Sequence, residues 1–172
     1  MTQKTIASVG VALVLSGCMT TSGSQDWRLN SYLPDPAMNT TLQDVPTNDA
    51  SFETAINGVR AGNKVVQPLR WNGQLDQAAQ SYAGYLHATG QFSHTAGNST
   101  VGERVSATGY QWRKVGENLA QGFTDENDVI DAWEGSSEHK KNQNDPDFED
   151  FALGVSGTGR DAVWVLVLAD PL

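Results

Sequence analysis

The chain has 172 residues, 38% of them hydrophobic and five of them Trp, which is enough for one folded domain with a real core plus additional segments. Its formal charge is −9, and its basic residues gather no further than the pairs Arg113-Lys114 and Lys140-Lys141. Such a surface repels nucleic acid and anionic lipid head groups, so nucleic acid is excluded as a partner.

Residues 1–17 read as an export signal. Lys4 is the only charge before Cys18, Ile6 to Leu15 form an uncharged, mostly apolar run, and small residues follow. As a helix that run rises about 15 Å, half of a bilayer core of roughly 30 Å. Leu15-Ser16-Gly17-Cys18 resembles a bacterial lipobox, in which the Cys is acylated and becomes the first mature residue. Cys18 is the only cysteine, so an intramolecular disulfide is excluded. Several acyl chains on one Cys anchor a protein firmly, at about 0.8 kcal/mol per buried CH₂. Met19 rather than Asp follows. In a two-membrane envelope this favours the outer membrane, with the domain facing the periplasm. Residues 18–47 are then the lipidated Cys and a flexible tether, rich in Ser, Thr and Asn and interrupted by Pro34, Pro36 and Pro46.

The folded domain is expected over 48–172. Asn48 or Asp49 caps an amphipathic helix with Phe52, Ala55, Ile56 and Val59 on one face, ended by Gly62-Asn63. A second helix starts at Asn72, places Leu75, Ala78, Ala79, Tyr82 and Leu86 on one stripe, and stops at Gly90. Its alanines predict close packing, and His87 lies off the stripe. Thr100-Val101-Gly102-Glu103 matches a capping box that opens a short helix ending near Gly109. Another helix runs from Asp125 through Val129, Ile130 and Trp133 to Ser136 or Ser137, with His139 just beyond it. Lys140 to Asp150 reads as a surface loop. Phe151 to Val155 and Ala162 to Ala169 read as a hairpin about Gly157-Thr158-Gly159. Both faces of the second run are apolar, so its sheet needs helical cover on each side. The fold class is therefore α+β, a three-layer α-β-α sandwich with a mostly antiparallel central sheet.

His94, Glu117 and His139 are the candidate site residues, since Glu117 stands midway between two isolated histidines in Gly116-Glu117-Asn118. Two imidazoles and a carboxylate with an open position suit Zn²⁺ or another divalent metal that activates water, and without metal they suit an acid/base pair. Neither H-E-x-x-H nor G-x-S-x-G occurs. A third role is structural, with the same side chains holding the cleft in shape. Tyr110 and Trp112 are candidate ligand contacts in a polar stretch before Glu117.

Pro68-Leu69-Arg70-Trp71-Asn72, Phe92-Ser93-His94, Arg104 with Gly109-Tyr110, Gly116-Glu117-Asn118-Leu119-Ala120, Trp133 with Ser136 and His139, and Leu153-Gly154-Val155 occur in the order found in the CAP superfamily. The chain resembles its compact, disulfide-free bacterial branch. That resemblance implies the same α-β-α sandwich and a cleft with two His and two Glu, in some members binding a divalent metal. Here His94, Glu117 and His139 match three of the four. Ser136 occupies the place of the second Glu, and Glu134 and Glu138 flank it as alternative fourth groups. The implied function is an envelope-anchored protein binding a lipid, glycan or protein ligand in this cleft. The alternative is a metal-dependent hydrolase acting on envelope peptide or peptidoglycan.

Overall fold

The computed structural model describes residues 49–172, so the export signal, the Cys18 lipidation site, the tether and the Asn48 cap lie outside the described residues. The first helix, α1, spans Asp49–Gly62 and buries Phe52 and Ile56, as its periodicity predicts. Helix α2 spans Gly73–Thr89. The Asn72 side chain accepts from the amides of Gln74 and Leu75 at its start, and Gly90 closes it at φ 66°. Helix α3, Val101–Ala107, has both halves of the predicted capping box between Thr100 and Glu103.

Among the described residues the sheet has four strands in the order β1-β3-β4-β2, with β1 at Arg70–Trp71, β2 at Trp112–Gln121, β3 at Asp150–Ser156 and β4 at Val163–Pro171. Of these, the two-residue β1 runs parallel to its neighbour, while β3 and β2 flank β4 antiparallel. The expected hairpin is present as β3 and β4.

Strand β4 explains the three layers. Val163, Val165, Val167 and Ala169 pack with Leu75, Ala79, Tyr82 and Leu86 of α2, while Trp164, Leu166 and Leu168 pack with Phe52 and Ile56 of α1. The second of these cores also takes Val129, Ile130 and Trp133 from α4, Glu126–Glu134. Helix α2 lies against the sheet backbone to backbone. A Cβ on Gly154 of β3 would come 2.2 Å from the carbonyl carbon of Ala79, so the small side chains set the layer spacing.

Two stretches differ from expectation. The predicted loop from Lys140 begins inside a further helix, α5, at Ser137–Gln143, and the predicted single helix ends earlier, at Glu134. Gln143 is fully buried there. The cause is Arg60, whose buried guanidinium donates to the carbonyls of Gln143 (2.8 Å), Asp145 (2.9 Å), Gln67 (2.9 Å) and Phe148 (3.3 Å). Burial pulls its pKa below the usual range, against the opposing charge of Asp145. The other difference is β2, the longest strand, in a stretch with no readable alternation. Its buried positions include Gly116, Glu117 and Asn118, which carry no hydrophobic signal.

Candidate functional site

Strand β2 is an edge of the sheet, and its pleat sends the side chains of Gly116-Glu117-Asn118 alternately to the two layers. On the α5 side, a Cβ at Gly116 would lie 2.9 Å from the Phe148 ring, so only Gly lets that ring close on the strand. Asn118 donates to the carbonyl of His139 at 3.0 Å and accepts from Asn142, which also donates to the Glu117 carbonyl at 3.2 Å. The Trp133 indole donates to the Leu119 carbonyl at 3.1 Å. Two outward carbonyls of an exposed edge are thus satisfied, and α5 is tied to the strand through the backbone of His139.

On the opposite side Glu117 is buried and holds two partners. One oxygen meets Nδ1 of His94 at 2.7 Å and the other accepts from Nη2 of Arg104 at 2.5 Å. Arg104 is itself buried, with its guanidinium 3.4 Å above the Tyr82 ring. Its Nη1 donates to the carbonyls of Ser99 (2.8 Å) and His94 (3.2 Å). The Tyr82 hydroxyl donates to the Ser93 carbonyl and accepts from the Ala96 amide. The loop from Ser93 to Ser99 is therefore wrapped around two side chains of α2 and α3, and this is what places His94.

The imidazole of His94 is 56% exposed, so its Nε2 edge is open while Nδ1 faces the carboxylate. A carboxylate acceptor requires a proton on Nδ1, which in the neutral ring leaves the lone pair on Nε2. His139 comes from the other layer, around the strand edge. Its half-buried imidazole titrates below the ordinary 6.5 because burial disfavours the charged form; the charge of His94 acts the same way and Glu138 opposes both.

Of the expected set His94, Glu117 and His139, the backbone carbonyl of His139 is tied to Asn118, and Nδ1 of His94 is held by Glu117. Its oxygens face Arg104 and His94, so the metal donors that remain are the two imidazoles. Catalytic Zn²⁺ usually takes three protein ligands, and the present set falls short of that. Among the described residues no three His, Cys, Asp or Glu side chains are grouped to hold a metal ion.

The fourth group resolves differently for each candidate. The Glu134 carboxylate accepts from Asn63 (2.9 Å), Gln143 (3.1 Å) and Asn144 (2.8 Å) and pairs with Lys140 (2.7 Å), so its oxygens are engaged in bracing α1 and α5. Ser136 precedes α5 without a side-chain cap bond, and Glu138 is exposed next to His139. Tyr110 and Trp112 are corrected as members of the same cleft. Tyr110 is buried with its hydroxyl on Asp150 (2.8 Å), Trp112 bonds Ser106 (3.0 Å), and both line a separate depression that includes none of His94, Glu117 and His139. Arg104 is the central residue that sequence reasoning left without a role. Nothing local marks it, because its partner lies 13 residues away on another element.

The family model described as "CAP: Cysteine-rich secretory protein family" matches residues 53–168, nearly all of the layered domain. The chain belongs to this family. An uncharacterized protein of Bacillus subtilis, YkwD, is 23% identical over 152 residues, or 84% of this chain. The chain spans 58% of the length of that curated relative. Among solved structures, an outer surface protein from Borrelia burgdorferi superposes with a TM-score of 0.68 at 21% identity, covering 75% of this chain and 96% of that one. An extracellular SCP-domain protein from Bacillus anthracis gives 0.61 at 22% identity, covering 70% of this chain and 39% of that one. These likenesses establish the CAP fold, in agreement with the α+β sandwich read from the sequence. Among the described residues of this CAP domain no helix is long and apolar enough to cross a membrane.

Proposed function

We propose that this protein is an exported, envelope-tethered CAP protein whose cleft around His94, Glu117 and His139 binds a ligand or partner without turning it over. The observation that carries the binding reading is the commitment of Glu117. A carboxylate that holds a buried guanidinium on one oxygen and an imidazole on the other is a poor base and a poor ligand for a metal. It is well placed to fix the ring of His94 so that Nε2 meets an incoming hydrogen-bond donor. The neutral bias on His139 suits an uncharged polar group on the same ligand. Tethering is supported by the apolar run and the Leu15-Ser16-Gly17-Cys18 sequence, and by relatives whose names describe outer-surface and extracellular proteins.

The test is co-sedimentation of the lipid-free protein with isolated envelope fragments, both membrane vesicles and peptidoglycan sacculi. Wild-type protein should pellet with one of them, and the double variant His94→Ala, His139→Ala should lose at least about tenfold in affinity, or about 1.4 kcal/mol. Release of soluble peptide or glycan fragments that Glu117→Gln abolishes would overturn the non-catalytic reading.

A further inference from the structure

A second concave surface lies where α3 ends and β2 begins. Ser106, Gly109, Tyr110, Gln111, Trp112 and Leu172 line an open depression of about 540 Å³, and none of these side chains is charged. Its size falls within the roughly 300–1,000 Å³ of small-ligand sites.

Trp112 is held there by three separate devices. The register of β2 against β4 shifts between Trp112 and Lys114, and such irregularities re-aim a side chain. The indole rests on Gly102 of α3, where a Cβ would come 2.8 Å from Cζ2 and 3.1 Å from Cη2. Its Nε1 donates to the Ser106 hydroxyl at 3.0 Å. A ring fixed in this way, yet only half-buried, is a rigid aromatic wall at low entropic cost.

The surroundings select the ligand. The nearby acids are occupied: Asp170 takes Arg113 at 3.0 and 3.1 Å, Glu149 takes Arg70 at 3.2 Å, and Asp150 takes the Tyr110 hydroxyl. Burial first, and then the neighbouring acids, push the Tyr110 phenol well above its usual range, so Tyr110 stays neutral. A cation would find one aromatic wall rather than a cage. An acyl chain would find an open surface whose rim is polar, where little of its length is removed from water.

We propose that this depression binds a neutral pyranose ring of a glycan, stacked on the face of Trp112. The C–H face of a pyranose carries partial positive charge and lies on the negative π face of an indole. Its hydroxyls meet the Gln111 carboxamide, which both donates and accepts, and the Ser106 hydroxyl, which accepts from Trp112 and still has a proton to donate. The assignment is independent of the His94 cleft and stands or falls without it.

The probe is the β-1,4-linked trimer of N-acetylglucosamine, titrated into the ¹⁵N-labelled protein with calorimetry in parallel. The Trp112 indole N–H resonance should move on titration. Trp112→Ala should weaken binding at least about tenfold, and Gly102→Ala, which displaces the indole without removing it, should do so with the fold retained in its amide spectrum. His87→Ala, outside the lining of this depression, should leave the affinity unchanged. An unmoved Trp112 resonance at millimolar trimer, or binding that survives Trp112→Ala, would each overturn the proposal.

Discussion

Replacing Arg104 with methionine keeps most of the side-chain bulk over Tyr82 and removes the charge that faces Glu117. Both partners are buried, with side-chain exposures of 3% and 2%, so the variant strands a carboxylate in the protein interior. Breaking a buried ion pair from one side costs about 3–5 kcal/mol. The lower end is expected because His94 still donates to the other carboxylate oxygen and water reaches the exposed loop from Ser93 to Ser99. Converting Glu117 to leucine as well removes the stranded charge, so the double variant Arg104→Met, Glu117→Leu should recover to within about 1–2 kcal/mol of wild type. The assay is urea unfolding followed by tryptophan fluorescence on all four members of the cycle. The coupling should exceed about 2 kcal/mol. An Arg104→Met cost under about 1 kcal/mol, or a double variant no better than the sum of its singles, would show that the ion pair does not organise this edge of the sheet.

Gly154→Ala should cost about 3 kcal/mol or more in the same urea assay, because the new methyl meets the backbone of Ala79 and not a movable side chain; a cost below about 1 kcal/mol would mean that the layers separate easily. His139 gives a pH signature. Its folded pKa lies below the unfolded 6.5, so the unfolded chain takes up this proton first. The contribution is therefore fully present above 6.5 and is lost as pH falls below it toward the folded value. Wild-type stability should drop as pH falls below about 6.5, and His139→Gln should flatten that drop; parallel slopes in the two proteins would remove His139 as the cause. Asn118→Ala should cost about 1–3 kcal/mol and speed amide exchange in α5, since Asn118 bonds both the His139 carbonyl and Asn142. Finally, Cys18→Ser should move the protein from the membrane fraction to the soluble fraction of the producing cells, and retention on the membrane would refute the lipid anchor.

Several elements were legible because their signals are local. Asn72 and Gly90 bracket α2, Thr100 and Glu103 cap α3, and Phe52 and Ile56 mark the inner face of α1. The apolar faces of β4 called for cover on both sides, which is the architecture found. Gly116-Glu117-Asn118 marked the stretch from which Glu117 reaches His94 and Arg104. Helix α5 and strand β2 were not legible, because Gln143 in the one and Gly116, Glu117 and Asn118 in the other take up most of their buried positions, leaving only Leu119 and Ala120 apolar, and such residues do not make a hydrophobic period.

The sequence by itself therefore determined where α2 starts and stops, where α1 ends and α3 begins, and which of their faces are inward, and it singled out the Glu117 carboxylate, since caps and periodicity act over a few residues. Tertiary structure alone decided what that carboxylate does. Its partners arrive from α3 and from the loop before it, 13 and 23 residues away, and a buried charge must find its counter-charge wherever the chain brings one. The same rule turned Glu134 toward Lys140 and its amide neighbours. Packing against Gly102 likewise set Trp112 at a surface of its own. Pairings of this kind depend on which elements become neighbours, and that is a property of the whole fold.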